Sequence, residues 1–411
     1  MSALVETVFP RRLGRPFRWL VSASWTSNIG DGIAIAAGPL LVASQTDSAF
    51  LVALAAMLER LPWLVFGLWA GVLADRLDRR AVVVVANLVR AVVIALLVGF
   101  IATGSVSIAV VLVAMFLWGT AEVFADTTQQ TLLPMLVEPK DLGTGNQRLQ
   151  AGFLTANQFV GPPVGAFLFA AGMVWPFVVQ VVAVALAVVL VSRVRLPDVE
   201  PRAERTHVRQ DMAEGFRWIW HHKPVRTLAL VILTFNVTWA APGAILVKYA
   251  LDHLHMSEVQ YGLLTTAGAV GGILGTVAYG WLERHVALAT LMRICLTLEV
   301  LYHAAFALAS TAWVALLIMG VFGVYAFVWG TLSTTVRQRA VPREFQGRVG
   351  SIYMICVFGG IALGQLLGGV IAEHWGLVAP WWFACAGAGL TLALVWRSLT
   401  NIAHAGAVHE A

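Results

Sequence analysis

The sequence is organised around one short charged stretch, Gly71-Val72-Leu73-Ala74-Asp75-Arg76-Leu77-Asp78-Arg79-Arg80. Five of its last six residues are charged, and it separates two apolar runs near residues 49–73 and 82–103. Runs of about 20 apolar residues are long enough to cross a bilayer as helices. So short a connection between two such helices predicts an antiparallel hairpin with its turn at one membrane face.

The residue types in this turn are suited to joining helix ends. Gly71 allows another helix to approach closely, and Asp75 can accept hydrogen bonds from the free N-H groups of a neighbouring helix. Arg79 and Arg80 can bind carboxylates. We therefore predict that the stretch holds helix ends together at one face of the membrane.

The pattern resembles the signature loop of the major facilitator superfamily of secondary transporters, G-x-x-x-D-R-x-G-R-R. The matching residues are Gly71, Asp75, Arg76, Arg79 and Arg80. Asp78 stands where the general pattern has glycine, and the D-R-x-D-R-R form resembles the bacterial drug and siderophore exporters, which include macrolide efflux and enterobactin export proteins. The resemblance implies that the matching residues form a cytoplasmic gate motif.

The composition is that of a membrane protein. Apolar residues make up 59% and charged residues 12% of the 411 positions, with a mean hydropathy of +0.80, values far from the globular average. Twelve apolar runs are long enough to span a bilayer. They lie near residues 18–43, 49–73, 82–103, 107–130, 146–170, 174–193, 226–251, 258–282, 287–308, 312–335, 349–371 and 379–398. We predict an all-α membrane protein with twelve transmembrane helices, which the resemblance arranges in two pseudo-symmetric six-helix bundles.

The positive charges predict the orientation of the chain. The net charge is +5, and 23 of the 27 Lys and Arg residues lie on the two ends and on one alternating set of loops. The opposite set of loops carries Lys248 alone. By the positive-inside rule both termini are cytoplasmic, and the resemblance to bacterial exporters implies a multi-pass protein of the bacterial inner membrane. The net positive charge therefore reflects membrane topology. We predict that the chain's partner is the lipid bilayer and that it binds no nucleic acid.

One long polar connection divides six apolar runs from the other six. Its apolar residues recur at helical spacing, which predicts a short amphipathic helix on the cytoplasmic surface. These residues are Met212, Phe216, Ile219 and Trp220. The predicted segments are an N-terminal bundle (1–194), a linker (195–223), a C-terminal bundle (224–398) and a cytoplasmic tail (399–411).

The two halves repeat each other at a nearly constant offset, as expected of an internally duplicated transporter. Residues 116–120, Phe-Leu-Trp-Gly-Thr, match residues 327–331, Phe-Val-Trp-Gly-Thr. Two glycines four residues apart recur at 161–165 and 364–368. The first pair, with Pro162 between Gly161 and Gly165, resembles the glycine-proline motif of antiporters of the superfamily, and the resemblance favours export.

Charged residues inside spans are costly, so each is a candidate for function or for an ion pair. Asp31 shares a helical stripe with Ser24, Asn28, Ile35 and Gly38. It is either a proton or cation site in an aqueous cavity or a buried acid paired with an arginine of a neighbouring span. Arg60 is a plausible partner for Asp31. Its sequence neighbour Glu59 projects about 100° away and is not expected to pair with it.

The fourth span carries two acids on one face with Trp118, namely Glu122 and Asp126. The resemblance implies that Asp126 pairs with Arg79, whereas Glu122 has no obvious partner. We predict that Asp31 and Glu122, together or singly, carry proton coupling. The sequence does not assign the remaining intramembrane charges: they either form structural pairs or reach towards the interface, or they have a function of their own, and Glu59 or Glu299 is the next candidate for coupling if Asp31 and Glu122 are structural. These remaining charges are Glu59, Arg90, Arg293 and Glu299.

The substrate cavity is predicted from the resemblance, which implies that spans one, four, seven and ten line it. The polar and aromatic candidates are Asn28, Trp118, Asn236, Trp239, Tyr325 and Trp329. Asn28 and Asn236 are separated by the repeat offset, so they could face each other across the pseudo-symmetry axis. Such a cavity suits amphipathic or cationic organic molecules. The alternative is that the tryptophans are interfacial anchors.

The sequence contains no pattern typical of enzymes. Cys295, Cys356 and Cys385 lie in apolar runs without metal-ligand spacing, and we predict that all three are small buried hydrophobic residues. No phosphate-binding loop, nucleophile elbow or metal cluster is present in the sequence, so we predict no catalytic residue and no cofactor. The proton gradient is the expected driving force.

The resulting prediction is a monomeric secondary transporter that exports small amphipathic molecules by proton antiport with alternating access. One alternative keeps the fold but moves lipid or lysolipid, for which lipid-dependent turnover would be diagnostic. Another is a membrane sensor or assembly partner, for which no flux would be found in proteoliposomes.

Overall fold

The computed structural model describes residues 11–196, 208–342 and 345–403, and over these ranges the regular structure is helical. The α-helices of the first half are α1 Gly14–Gln45, α2 Ala49–Arg76, α3 Arg79–Ala102, α4 Ile108–Gln129, α5 Leu133–Leu136, α6 Leu142–Gly152, α7 Gly161–Ala171 and α8 Trp175–Ser192. Those that follow are α9 Val208–His221, α10 Lys223–Gly243, α11 Leu246–Lys248, α12 Glu258–His285, α13 Leu288–Leu308, α14 Ala312–Ala340, α15 Gln346–Trp375, α16 Ala379–Val395 and α17 Ser398–Ala403. Short 3₁₀ turns occupy Arg11–Leu13 and Pro139–Asp141, and π-helical turns occupy Phe153–Val160 and Tyr249–His253.

Nine of the described helices are long and apolar enough to cross a membrane. They are α2, α3, α4, α8, α10, α12, α13, α14 and α15. Helix α1, the interrupted pair α6 and α7, and the shorter apolar helix α16 lie at the other three predicted positions. The predicted all-α membrane fold is therefore confirmed, with helices at each of the twelve predicted positions.

The charged hairpin between α2 and α3 is closed by Asp78, which caps α3. Its carboxylate accepts hydrogen bonds from the backbone N-H of Arg80 at 2.9 Å and of Ala81 at 3.3 Å. Aspartate is a favoured N-cap because it satisfies N-H groups that lack partners inside the helix. The residue that departs from the general superfamily pattern thus begins the second helix of the hairpin.

The fifth pass is broken by a π-helical turn at Phe153–Val160, although its sequence predicts one continuous helix. Helix α7 begins with Gly161, Pro162 and Pro163. Pro163 has no N-H to donate to the carbonyl four residues earlier. That carbonyl belongs to Phe159, and Thr266 on α12 donates to it from Oγ1 at 3.1 Å. The side chain of another helix therefore satisfies a backbone group that the proline leaves without a donor.

The repeated glycine pairs form equivalent helix crossings in the two halves. A Cβ built at Gly165 of α7 would overlap the carbonyl of Ile33 on α1. One built at Gly368 of α15 would overlap the carbonyl of Ala241 on α10. Glycine is required at both crossings because the backbones approach too closely for any side chain. The sequence match between 161–165 and 364–368 therefore corresponds to a shared packing geometry.

The chain divides into two compact units. Unit 1 contains the described residues of Met1–Asp47, Leu58–Glu204 and Glu258–Thr266. Unit 2 contains those of Ser48–Met57, Arg205–Ser257 and Ala267–Ala411.

Each unit has its own apolar core. In unit 1, Phe17 and Leu20 of α1 pack with Val83 of α3 and Val191 of α8. In unit 2, the largest fully buried side chain is Trp381, whose ring stacks on that of Phe306 with centroids 4.4 Å apart. Both cores bury large side chains contributed by different membrane helices.

Helix α9 occupies the second part of the predicted linker and packs on the start of α15. Glu214 Oε2 lies 2.8 Å from Arg348 Nη1, and Trp218 stacks on Phe345 with ring centroids 5.7 Å apart. On the other face, Phe216 and Trp220 are exposed. The helix therefore has one packed and one open apolar face, while residues 197–207 lie outside the described ranges.

Candidate functional site

An ion pair between Asp31 and Arg90 is the centre of the charged site in unit 1. Asp31 lies midway along α1, and Arg90 lies midway along α3 with a side chain that is only 1% exposed. The pair is hydrogen-bonded through Arg90 Nη2. Ser27 Oγ donates to the other oxygen of Asp31 at 3.1 Å, and Arg90 Nη1 donates to Asn87 Oδ1 at 3.1 Å. Both charged groups are thus paired and hydrogen-bonded, as buried charges require.

The predicted partner of Asp31 was wrong. Arg60 Nη2 lies 3.4 Å from Glu59 Oε1, the neighbour with which no pairing was expected, and its side chain is 42% exposed. The prediction considered only the angle between adjacent residues, whereas the long arginine side chain can bend back along α2. Arg90, which the sequence left as a structural or interfacial charge, is the residue that reaches Asp31.

Glu122 and Asp126 on α4 lie in the same electrostatic environment. Arg60 and Arg90 act on both acids through space. Oε2 of Glu122 is buried and has no hydrogen-bond partner within the described part of the chain. Four acids and two arginines interact in this region, and we call them the unit 1 charge cluster. Its members are Asp31, Glu59, Arg60, Arg90, Glu122 and Asp126. If all six were ionised, two negative charges would have no positive partner.

The gate motif makes contacts that differ from those predicted. Arg79 donates from Nε to the carbonyl of Ala74 at 3.0 Å and from Nη1 to Met135 Sδ at 3.2 Å. The pairing of Arg79 with Asp126 stays a prediction. Asp126 itself is half-buried on α4.

Two further residues of the gate motif can be placed. Arg80 Nη1 donates to the carbonyl of Val194 at 3.4 Å, so it binds a backbone oxygen beyond the end of α8 and not a carboxylate. Gly71 is at no close helix crossing, because a Cβ built there would meet no described atom within 4 Å. Arg76 is exposed, and the side chain of Asp75 lies outside the described residues.

The predicted cavity residues occupy varied environments. Asn28 donates to the carbonyl of Ser24 at 2.8 Å, and Asn236 donates to that of Ile232 at 2.7 Å, so both bind their own helix four residues back. Trp118 is buried, and its Nε1 has no hydrogen-bond partner.

The other aromatic candidates also differ in exposure. Trp239 is 39% exposed, Trp329 is half-buried and Tyr325 is 5% exposed. Their contact with substrate stays a prediction.

Sequence reasoning missed a second buried polar cluster, which lies in unit 2. Glu299 and His303 are four residues apart on α13, with His303 Nε2 3.3 Å from Glu299 Oε1. Tyr325 of α14 donates to Glu299 Oε2 at 2.7 Å. The signal was present, because side chains at positions i and i+4 meet on a helix face. Glu299 was noted in the sequence, whereas His303 was overlooked.

Two smaller predictions are also resolved. Arg293 donates to Thr400 Oγ1 at 2.9 Å and lies over the ring of Trp396, so its role is structural. Cys295 is buried as predicted, but Cys356 and Cys385 are only partly buried. The side chains of these two cysteines are therefore not enclosed by the protein. Among the described residues, no group of His, Cys, Asp and Glu is arranged to hold a metal ion.

Nine apolar spans among the described helices, a repeat of glycine crossings and charged groups inside spans define a polytopic membrane protein. Residues 10–409 match the family described as transmembrane secretion effectors. The chain belongs to this family, a group of major facilitator superfamily transporters. It is a multi-pass membrane protein and not an enzyme.

The chain is similar to several bacterial efflux proteins. It is 28% identical to the multidrug efflux pump Tap of Mycolicibacterium fortuitum, over 89% of this chain and 91% of that protein. It is 23% identical to macrolide efflux protein A of Streptococcus pyogenes, over 83% and 86% of the two chains. It is 26% identical to the enterobactin exporter EntS of Citrobacter koseri, over 86% and 85%. The predicted resemblance to the exporters is therefore confirmed.

Solved structures support the fold. A bacterial homologue of the iron transporter ferroportin, in an inward-facing state, superposes with a TM-score of 0.76 at 18% identity. The match covers 97% of this chain and 99% of that chain. At this identity the likeness establishes the architecture and carries no information on substrate.

Proposed function

We propose that the protein exports amphipathic organic molecules, including aromatic cations, across the bacterial inner membrane in exchange for protons. Its relatives are named for the efflux of several drugs, of macrolides and of enterobactin, which supports export of small organic compounds. We further propose that the chain works as a monomer by alternating access. Both termini are placed in the cytoplasm because 23 of the 27 Lys and Arg residues belong to that side.

One observation supports the proton part of this proposal: Oε2 of Glu122 is buried and finds no hydrogen-bond partner among the residues that the structure describes. A buried polar atom is costly unless it is bonded, and a proton on this carboxyl group would remove its charge. Asp31 is already balanced by Arg90 and Ser27. Glu122 is therefore the stronger candidate for carrying the proton. Asp31 is the candidate for adjusting, through its charge, how readily Glu122 binds that proton.

Exchange follows from competition between a proton and a cation for the unit 1 charge cluster. Ionised Glu122 adds negative charge that would attract a cationic substrate. A substrate bound there would in turn favour the ionised acid and release the proton. Uptake of a proton from the other side of the membrane would neutralise Glu122, weaken the attraction for the cationic substrate and release it. Coupling therefore requires that the cluster is open to one side at a time.

The test is reconstitution of the full chain in proteoliposomes, with ethidium and erythromycin as probes and with or without an imposed pH gradient. Glu122→Gln is expected to lose accumulation driven by the gradient while it retains exchange of probe for probe. Glu138→Gln is the matched control, because this surface acid pairs with Lys140 and is 70% exposed. Gradient-driven accumulation by both Glu122→Gln and Asp31→Asn would contradict the assignment of these acids. Absence of flux of both probes in the parent protein would contradict drug export.

Orientation is tested separately with single cysteine reporters in a variant that lacks the three native cysteines. Reporters in residues 195–223 are expected to react only from the cytoplasm. Reporters beside Asp47 or His253 are expected to react only from outside. The reverse labelling would contradict the proposed topology.

A further inference from the structure

We propose that Glu299, His303 and Tyr325 form a second proton-binding site, in unit 2, where one proton is shared between the carboxyl group and the imidazole. The proposal goes beyond the proposed function, which places proton coupling only in the unit 1 charge cluster. We call these three residues the unit 2 triad. Its ligand is a proton, and its acceptors are Glu299 Oε1 and His303 Nε2.

The geometry brings two proton acceptors within ion-pair distance of one another, and a shared proton would require them to align as a hydrogen bond, which they do not do in this arrangement. His303 Nε2 and Glu299 Oε1 are 3.3 Å apart, and their positions on one face of α13 keep them together. The second carboxylate oxygen is occupied, because Tyr325 donates to it at 2.7 Å. A shared proton therefore lies on the side of the carboxyl group that faces the imidazole.

Burial makes this proton necessary. His303 is 0% exposed and Glu299 is 8% exposed. In the described part of the chain, no arginine or lysine forms an ion pair with Glu299, whose only ionisable partner of opposite sign is His303. With an ionised carboxylate and a neutral imidazole, the triad carries one uncompensated negative charge. One added proton makes it neutral overall, whichever of the two groups holds it.

The walls around the triad are aromatic and contribute no opposing charge. The ring centroid of His303 lies 5.0 Å from that of Tyr302 and 6.2 Å from that of Trp381. The titratable groups that act on Tyr325 are Glu299, Tyr302 and Cys295, and none of them is a cation. Among the described residues, neither ring nitrogen of His303 has a hydrogen-bond partner, and both are buried. The imidazole can therefore accept or release a proton without breaking a hydrogen bond to another residue.

The proposal is tested without substrate, by pH-difference infrared spectroscopy of the purified full chain in lipid vesicles. The parent protein should show one titration step with linked carboxyl and imidazole bands. Glu299→Gln and His303→Gln should each abolish the linked step and leave at most the separate titration of the one remaining group, because the two groups share one proton. Tyr325→Phe should retain the step with its midpoint displaced by about one pH unit, the size expected for loss of a hydrogen bond to a charged group.

The matched control is Tyr302→Phe, which removes a phenol from the same aromatic cluster and should leave the titration unchanged. Persistence of the step in both Glu299→Gln and His303→Gln would overturn the proposal. A step that disappears in Glu299→Gln and is unchanged in His303→Gln would also overturn it, because the proton would belong to the carboxyl group alone. Since no substrate is present, failure here is distinct from failure of the flux experiment.

Discussion

The two units solve the problem of a buried carboxylate in different ways. In unit 1, Asp31 is paired with Arg90, a cation that keeps its charge at any physiological pH. In unit 2, Glu299 is paired with His303, whose charge depends on pH. The helices repeat, but their counter-ions do not. The charge of Asp31 is therefore always neutralised by its partner. The charge of Glu299 is neutralised only when one proton is bound to the pair.

The largest expected effect comes from removing the permanent cation. Arg90→Gln leaves Asp31 buried without its counter-ion and should lower the free energy of unfolding by about 3 to 5 kcal/mol. The double variant Asp31→Asn/Arg90→Gln should recover most of this loss, since neither charge remains. The measurement is thermal or denaturant unfolding of the purified protein in detergent.

Arg60→Gln is the control for this experiment. Its side chain is 42% exposed, so the loss should stay below about 1 kcal/mol. Equal stability of Arg90→Gln and the parent protein would show that the Asp31 pair is dispensable, and the contrast between the units would disappear.

The next largest effect tests what the units share. Gly165→Ala and Gly368→Ala each place a methyl group against a backbone carbonyl and should each destabilise the protein by about 1 to 3 kcal/mol. Gly99→Ala is the control, because a Cβ at that position meets no described atom within 4 Å. A large effect in only one half would mean that the two crossings are not equivalent.

Removing the titratable counter-ion should cost less than removing the permanent one. In His303→Gln the amide can still donate a hydrogen bond towards Glu299, and the acid can take up a proton of its own. We expect a loss of about 1 to 2 kcal/mol in the free energy of unfolding. A loss as large as that of Arg90→Gln would show that His303 acts as a fixed cation, which removes the distinction drawn here.

The smallest effect concerns the phenol of the triad. Tyr325→Phe removes one hydrogen bond to Glu299 and should reduce the free energy of unfolding by about 1 kcal/mol. Tyr302→Phe should have an effect close to zero in the same unfolding experiment. If the two variants lose equal stability, the hydrogen bond seen between Tyr325 and Glu299 contributes nothing specific.

The sequence predicted the fold well because membrane spans follow from apolar length. Helices lie at all the predicted positions, and the glycine repeat identified crossings that the structure contains. The break at Phe153–Val160 was missed. Runs of apolar residues do not report backbone hydrogen bonding, although Pro162 and Pro163 marked the place where it fails.

The candidate site was predicted only in part. Asp31 and Glu122 were recognised because a charge inside a span is costly. Their partners could not be assigned, since pairing depends on how far each helix is rotated and on the bending of long arginine side chains. Arg60 was predicted to pair with Asp31, but Arg90 does so in the structure, and Arg60 lies beside Glu59. His303 was missed because one histidine in an apolar run carries no charge signal, and only its spacing from Glu299 marks it.

The pairing of Asp31 with Arg90 also bears on how the chain enters the membrane during synthesis. Helix α1 is not among the nine described helices that are apolar enough to qualify as spans on their own. An aspartate or arginine at the centre of a single inserting helix costs roughly 2.5 to 3.5 kcal/mol. Asp31 emerges from the ribosome before Arg90, so we expect the cost of burying Asp31 to fall once α3 arrives and the ion pair can form. Insertion of α1 should then depend on α3, because each charged side chain neutralises the other.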